Sequence, residues 1–144
     1  MKKLYLLTIL TFSSVMAFSQ KDTTIKEEIF TIVEQMPSFP GGDAEMGKWI
    51  RDKMQTIGFH KAEKEAGISG KCYVSFVIDK EGNVTGAHII RGIDNGPGYD
   101  KLALQVVNEM PKWIPGKQNG KLVSVQYNLP INFKNQSLQK DTTQ

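Results

Sequence analysis

The sequence predicts a small α+β domain of two layers, an antiparallel sheet built from a β-hairpin and a long final strand, with helices on one face. Three observations carry that expectation. Two apolar runs, residues 71–78 and 84–91, flank the polar turn Asp79-Lys80-Glu81-Gly82-Asn83. Residues 122–133 alternate apolar and polar over a length that only a strand would bury on one side. Two further segments repeat their apolar residues at helical spacing.

In chain order, Ile29-Phe30-Thr31-Ile32-Val33 is β-branched and aromatic, which suits a short strand. The prolines and glycines of Met36-Pro37-Ser38-Phe39-Pro40-Gly41-Gly42 end it, because neither residue type fits a sheet ladder. Asp43 is the expected N-cap of a helix over residues 44–55, with Met46, Trp49, Ile50 and Met54 on its apolar face. Residues 60–66 suggest one or two further helical turns, ended by Gly67.

In the hairpin, Cys72 alternates with Val74, Phe76 and Ile78, which makes it a small buried residue rather than a reactive thiol. Gly82 suits a positive φ in the turn, and Gly86 suits a bulge in the returning strand. A glycine-rich loop over 92–98 leads to a second helix marked by Tyr99, Leu102, Ala103, Val106 and Met110 and closed by Pro111. Residues 113–116 and the polar stretch 117–121 are expected as loop. In the last strand Val123, Val125, Tyr127, Leu129, Ile131 and Phe133 share one face. Pro130, lacking an N–H, suits an edge strand.

The termini set the expected domain boundaries. Lys2 and Lys3 precede an apolar stretch over residues 4–18, followed by small residues suited to a signal peptidase. Cleavage is expected after Ser19, with Ala17 as the alternative. That 15-residue stretch falls short of the roughly 20 apolar residues that a spanning helix needs. The division is then a signal peptide over 1–19, a short polar spacer over 20–28, the domain over 29–134 and a polar tail over 135–144.

Composition argues against several functions. The chain carries 18 basic and 15 acidic residues, net +3, and without Lys2 and Lys3 the excess is +1. That is no electrostatic footprint for nucleic acid. One cysteine cannot form an internal disulfide. His60 and His88 have no local partners, and no spacing of His and Cys offers a metal site. The loop over 92–98 lacks the Gly-Lys-Ser/Thr ending of a phosphate cradle. No catalytic residue, cofactor, metal or small-molecule substrate is expected. Trp49, Phe76 and Trp113 are expected as core anchors.

Three motifs in order carry a resemblance. Val33-Glu34-Gln35-Met36-Pro37-Ser38-Phe39-Pro40-Gly41-Gly42 resembles the entry segment of the C-terminal domain of TonB-like energy transducers. Residues 67–84 resemble that family's hairpin, with its Gly-x-Val core at Gly82 to Val84. Pro111-Lys112-Trp113-Ile114-Pro115-Gly116 resembles its Trp-x-Pro-Gly loop. The resemblance implies a non-enzymatic periplasmic domain that binds the TonB box of an outer-membrane transporter as an added strand. Strand addition needs an edge with free N–H and C=O groups. The expected acceptor is the last strand, through Val123, Ser124, Val125, Gln126, Tyr127, Asn128 and Leu129. Proline at Gln126 or Asn128 would separate folding from binding according to where each N–H points.

A transducer also needs an anchor and a long spacer. The eight residues between Gln20 and Ile29 reach only about 30 Å, which favours a stand-alone domain. The alternative reading is a structural or assembly protein that homodimerises through the same edge or contacts peptidoglycan.

Overall fold

The computed structural model describes residues 26–57, 69–94 and 97–133. The signal peptide, most of the spacer, the extra helical turns at 60–66 and the polar tail lie outside the described residues. Among the described residues, five strands and two helices follow the order β1 (Ile29–Phe30), α1 (Gly42–Thr56), β2 (Gly70–Ile78), β3 (Val84–Arg91), α2 (Pro97–Asn108), β4 (Gly116–Gln118) and β5 (Lys121–Phe133). The sheet order is β1-β5-β2-β3, and β4 pairs with the start of β5. The β2–β3, β2–β5 and β4–β5 pairs are antiparallel, whereas β1 runs parallel to β5, so the sheet is mixed.

The expected periodicity places the core. Cys72, Val74, Phe76 and Ile78 of β2 and Val125, Leu129, Ile131 and Phe133 of β5 are buried. Met46 and Met54 of α1 join the β2 residues and Leu129, Ile131 and Phe133 in one cluster, with Tyr99, Ala103, Val106 and Val107 of α2. Cys72 is wholly inaccessible, and its Sγ donates weakly to the Asp100 carboxylate at 3.6 Å. Burial, then the Asp100 charge and hydrogen bond, push the thiol up to about 11. Lys53 of α1 forms an ion pair with Glu109, just past α2. That bond and a second from Gln105 hold the Glu109 carboxyl below its usual value.

Trp113 sits at the centre of an aromatic group. Its ring meets Phe39 at 5.6 Å, Phe76 at 5.7 Å and Tyr127 at 5.0 Å, in edge-to-face contacts. It is 4% exposed, and its indole N–H is buried with no acceptor among the described residues. Phe76 is buried equally well. Trp49 is only half-buried, packing on the cluster beside Phe39 while Lys53 lies over its ring.

The β2–β3 turn is tied to this group through the backbone. Asp79 Oδ1 accepts the N–H groups of Glu81 and Asn83 at 2.9 and 2.8 Å, while Oδ2 accepts the Asn83 side chain. Gly82 turns the chain with φ 87°, and its carbonyl accepts the Trp113 N–H at 2.8 Å. A Cβ at Gly82 would stand 2.1 Å from the Trp113 carbonyl oxygen, so only glycine allows this approach. Gly86 has φ 62° and lies where the β2–β3 register shifts, which is the expected bulge.

Four expectations need correction. Asp43 caps no helix: Gly41 stands at the N-cap in the left-handed conformation, and α1 begins at Gly42, whose N–H bonds the Phe39 carbonyl. Asp43 and Glu45 instead lie in the first turn, where the helix dipole favours negative charge. The strand expected over 29–33 shrinks to two residues, and Ile32 is 83% exposed. The loop at 117–121 is a hairpin, in which Asn119 and Gly120 both take positive φ between β4 and β5. The loop expected to run to Gly98 ends earlier, because α2 begins at Pro97.

Candidate partner-strand edge

The expectation of β5 as a free edge strand is half right. On one side β5 pairs with β2 in an unbroken register from Ile78↔Val125 to Gly70↔Phe133. At its start, Val123 pairs with Gly116 of β4, and Ser124 and Val125 pair with Ile29 and Phe30 of β1. Among the described residues, no strand lies on the far side of residues 126–133. Of the seven residues expected to accept a partner, Val123, Ser124 and Val125 are thus covered. Gln126, Tyr127, Asn128 and Leu129 border the open stretch, and it continues to Phe133.

The register also fixes which backbone groups face outward. Pro130 lies opposite Tyr73 inside the unbroken β2–β5 ladder. A residue without an N–H leaves a ladder intact only when its nitrogen faces away from the neighbouring strand. Backbone direction repeats every second residue, so the N–H groups of Gln126, Asn128 and Asn132 share the outward side. Those of Tyr127, Leu129 and Ile131 face β2. Gln126 and Asn128 therefore point the same way, rather than one toward the sheet and one toward solvent.

Side chains flank this edge on both faces. On the outer face, Gln126 donates to the Ser75 hydroxyl at 3.0 Å, and Asn128, Pro130 and Asn132 are exposed. On the helix face, Tyr127 is half-buried against Trp113 and Phe76. Burial, and then the Asp43 carboxylate, push its phenol above the usual range. The open stretch thus combines uncharged amides with an aromatic wall.

The start of the edge is polar in another way. Ser124 is 1% exposed, and its hydroxyl donates to the Glu27 carboxylate at 2.6 Å. Lys80, from the β2–β3 turn, lies 3.6 Å from the same carboxylate oxygen. Sequence reading missed this contact because Glu27, Lys80 and Ser124 lie far apart in the chain.

Among the described residues, no group of three or more His, Cys, Asp or Glu could hold a metal ion, and no helix is long and apolar enough to cross a membrane. His88 is exposed on β3, with Nδ1 at 2.9 Å from the Gly86 carbonyl.

The sequence profile of the Gram-negative bacterial TonB protein C-terminal family matches residues 59–135. This chain belongs to the TonB C-terminal domain family. The NMR solution structure of the Helicobacter pylori TonB C-terminal domain is similar at 19% identity, covering 66% of this chain and 87% of that one, with a TM-score of 0.35. No curated protein matches the chain. TonB C-terminal domains are periplasmic, non-enzymatic modules of energy transduction that interact with outer-membrane transporters.

Proposed function

We propose that this TonB C-terminal domain is an exported periplasmic module that captures an extended TonB-box segment of an outer-membrane transporter. The segment adds as a strand along residues 126–133 of β5. The observation that carries this reading is the run of outward N–H and C=O groups with no strand opposite them among the described residues. Unpaired edges of this kind attract strands, and main-chain bonds supply most of the affinity. The neutral amides Gln126, Asn128 and Asn132 tune the partner's side chains rather than hold its backbone.

Proline placement tests the reading. Asn128→Pro removes an outward N–H, so the chain should keep its wild-type circular dichroism and lose binding of a synthetic TonB-box peptide by calorimetry. Tyr127→Pro removes an N–H that faces β2, and the sheet itself should fail. A folded Asn128→Pro chain that binds the peptide as wild type does would remove β5 as the acceptor. Sedimentation of the free chain separates the alternative, because an edge closed by a second copy gives a dimer that Asn128→Pro abolishes.

A further inference from the structure

We infer that the chain carries its own competitor for the accepting edge: β1 is an internal pseudo-ligand, and Ser124 with Lys80 forms a carboxylate subsite that Glu27 fills. This rests on the reading of β5 as the acceptor, and it says how that acceptor is regulated and what chemistry it selects. β1 pairs with Ser124 and Val125 on the side of β5 away from β2. An added strand on residues 126–133 occupies the same lane, so a segment extending toward Ser124 meets β1 and must displace it.

The hold on β1 is small. Among the described residues it consists of two parallel residue pairs, the partial burial of Phe30, one hydrogen bond to a half-exposed carboxylate and one exposed ion pair. Parallel pairing is slightly the weaker kind per residue, and an exposed ion pair contributes little. Ile29 is 51% exposed, so its side chain adds little burial. An incoming strand restores the backbone bonds that β1 gives up.

What it does not restore by backbone alone is the acceptor for Ser124. That hydroxyl is buried, and a buried donor without an acceptor is costly. Lys80 adds positive charge beside it. The subsite therefore favours a partner that brings a carboxylate to the position of Glu27, two residues ahead of its first paired residue. The site selects an extended segment with an acidic residue at its leading end.

The test uses the full chain and a release variant, Glu27→Ala with Ile29→Pro, with circular dichroism as the folding control. Two probes are titrated by calorimetry: a synthetic TonB-box peptide, and a peptide of this chain's residues 26–33. The release variant should bind each probe about tenfold more tightly than wild type, as expected when roughly one hydrogen bond's worth of competition is removed. Adding Lys80→Ala should weaken the 26–33 peptide but not its analogue carrying Gln in place of Glu27. Failure of the 26–33 peptide to bind the released chain, or equal binding to released and wild-type chains, overturns the inference. If the 26–33 peptide binds only the released chain while the TonB-box peptide binds neither, the internal competitor stands and the proposed partner falls.

Discussion

The tip of the β2–β3 hairpin and the start of β5 lie at the same end of the sheet, where Ile78 faces Val125, yet they are held by different means. At the tip, Asp79 gathers the turn, the Gly82 carbonyl bonds the Trp113 N–H, and Trp113 is wedged among three aromatic rings. At the start of β5, a two-residue strand and a carboxylate rest on the surface. The first arrangement ties backbone to a buried core and can be lost only with the fold. In the proposed binding mode, the second exchanges protein contacts for partner contacts of the same kind. The position of the proposed acceptor would then be rigid, while access to part of it would be adjustable.

Truncating the wedge is the strongest way to break this contrast. Trp113→Ala should destabilise the domain by about 3–5 kcal/mol in urea denaturation, as large aromatic truncations do. A loss under about 1 kcal/mol would mean that the tip is no firmer than the strap.

The turn carboxylate sharpens the comparison through pH. Burial alone raises the Asp79 carboxyl, but backbone and side-chain bonds from Asn83, then backbone bonds from Glu81 and Gly82, outweigh it and leave it below the usual value. A depressed carboxyl stabilises the fold above its unfolded pKa, and that contribution disappears as pH falls through the folded value. Hydrogen exchange at the Glu81 and Asn83 amides should therefore accelerate below the ordinary carboxylate range, beyond the chemical trend. Asp79→Ala should remove that dependence at a loss of about 1 kcal/mol. An unchanged pH profile in that variant would assign the effect to another group.

The smallest effect belongs to the strap. Glu27→Ala should change global stability by no more than about 0.5 kcal/mol, because the end of β1 then parts from β5 and water replaces Glu27 as the acceptor for Ser124. It should nevertheless shift the amide resonances of Ile29 and Phe30. A larger global loss would make β1 part of the scaffold and end its role as a competitor.

Side-chain periodicity made most of this fold readable. The alternation from Cys72 to Ile78 and along β5 identified the buried face, and the helical spacing of Met46 and Met54 and of Ala103 and Val106 identified what covers it. Periodicity speaks about faces, however, and not about which in-plane edge of a strand is paired. That edge is set by distant segments, so the cover over Val123, Ser124 and Val125 was not readable. Pro130 was read as a sign of an edge, and its missing N–H does orient the open side. The β4–β5 hairpin left a signal that went unused, because Asn119-Gly120 suits two consecutive positive φ values. Ile29 to Val33 shows the opposite failure. Its β-branched composition suits a strand, but only two of its residues find a pairing partner in the sheet.

The inaccessible thiol of Cys72 turns the core into a clock. With its ionisation pushed to about 11, almost none of it is thiolate near neutral pH, and the thiolate is the form that attacks disulfides and labelling reagents. The domain can therefore reside in an oxidising compartment with a lone cysteine and avoid mixed disulfides while it stays folded. Because Cys72 is inaccessible between the sheet and α2, a reagent reaches it only when that core opens. Its rate of modification reports how often the core between sheet and helix opens, and is indifferent to the coming and going of a strand at the outer edge.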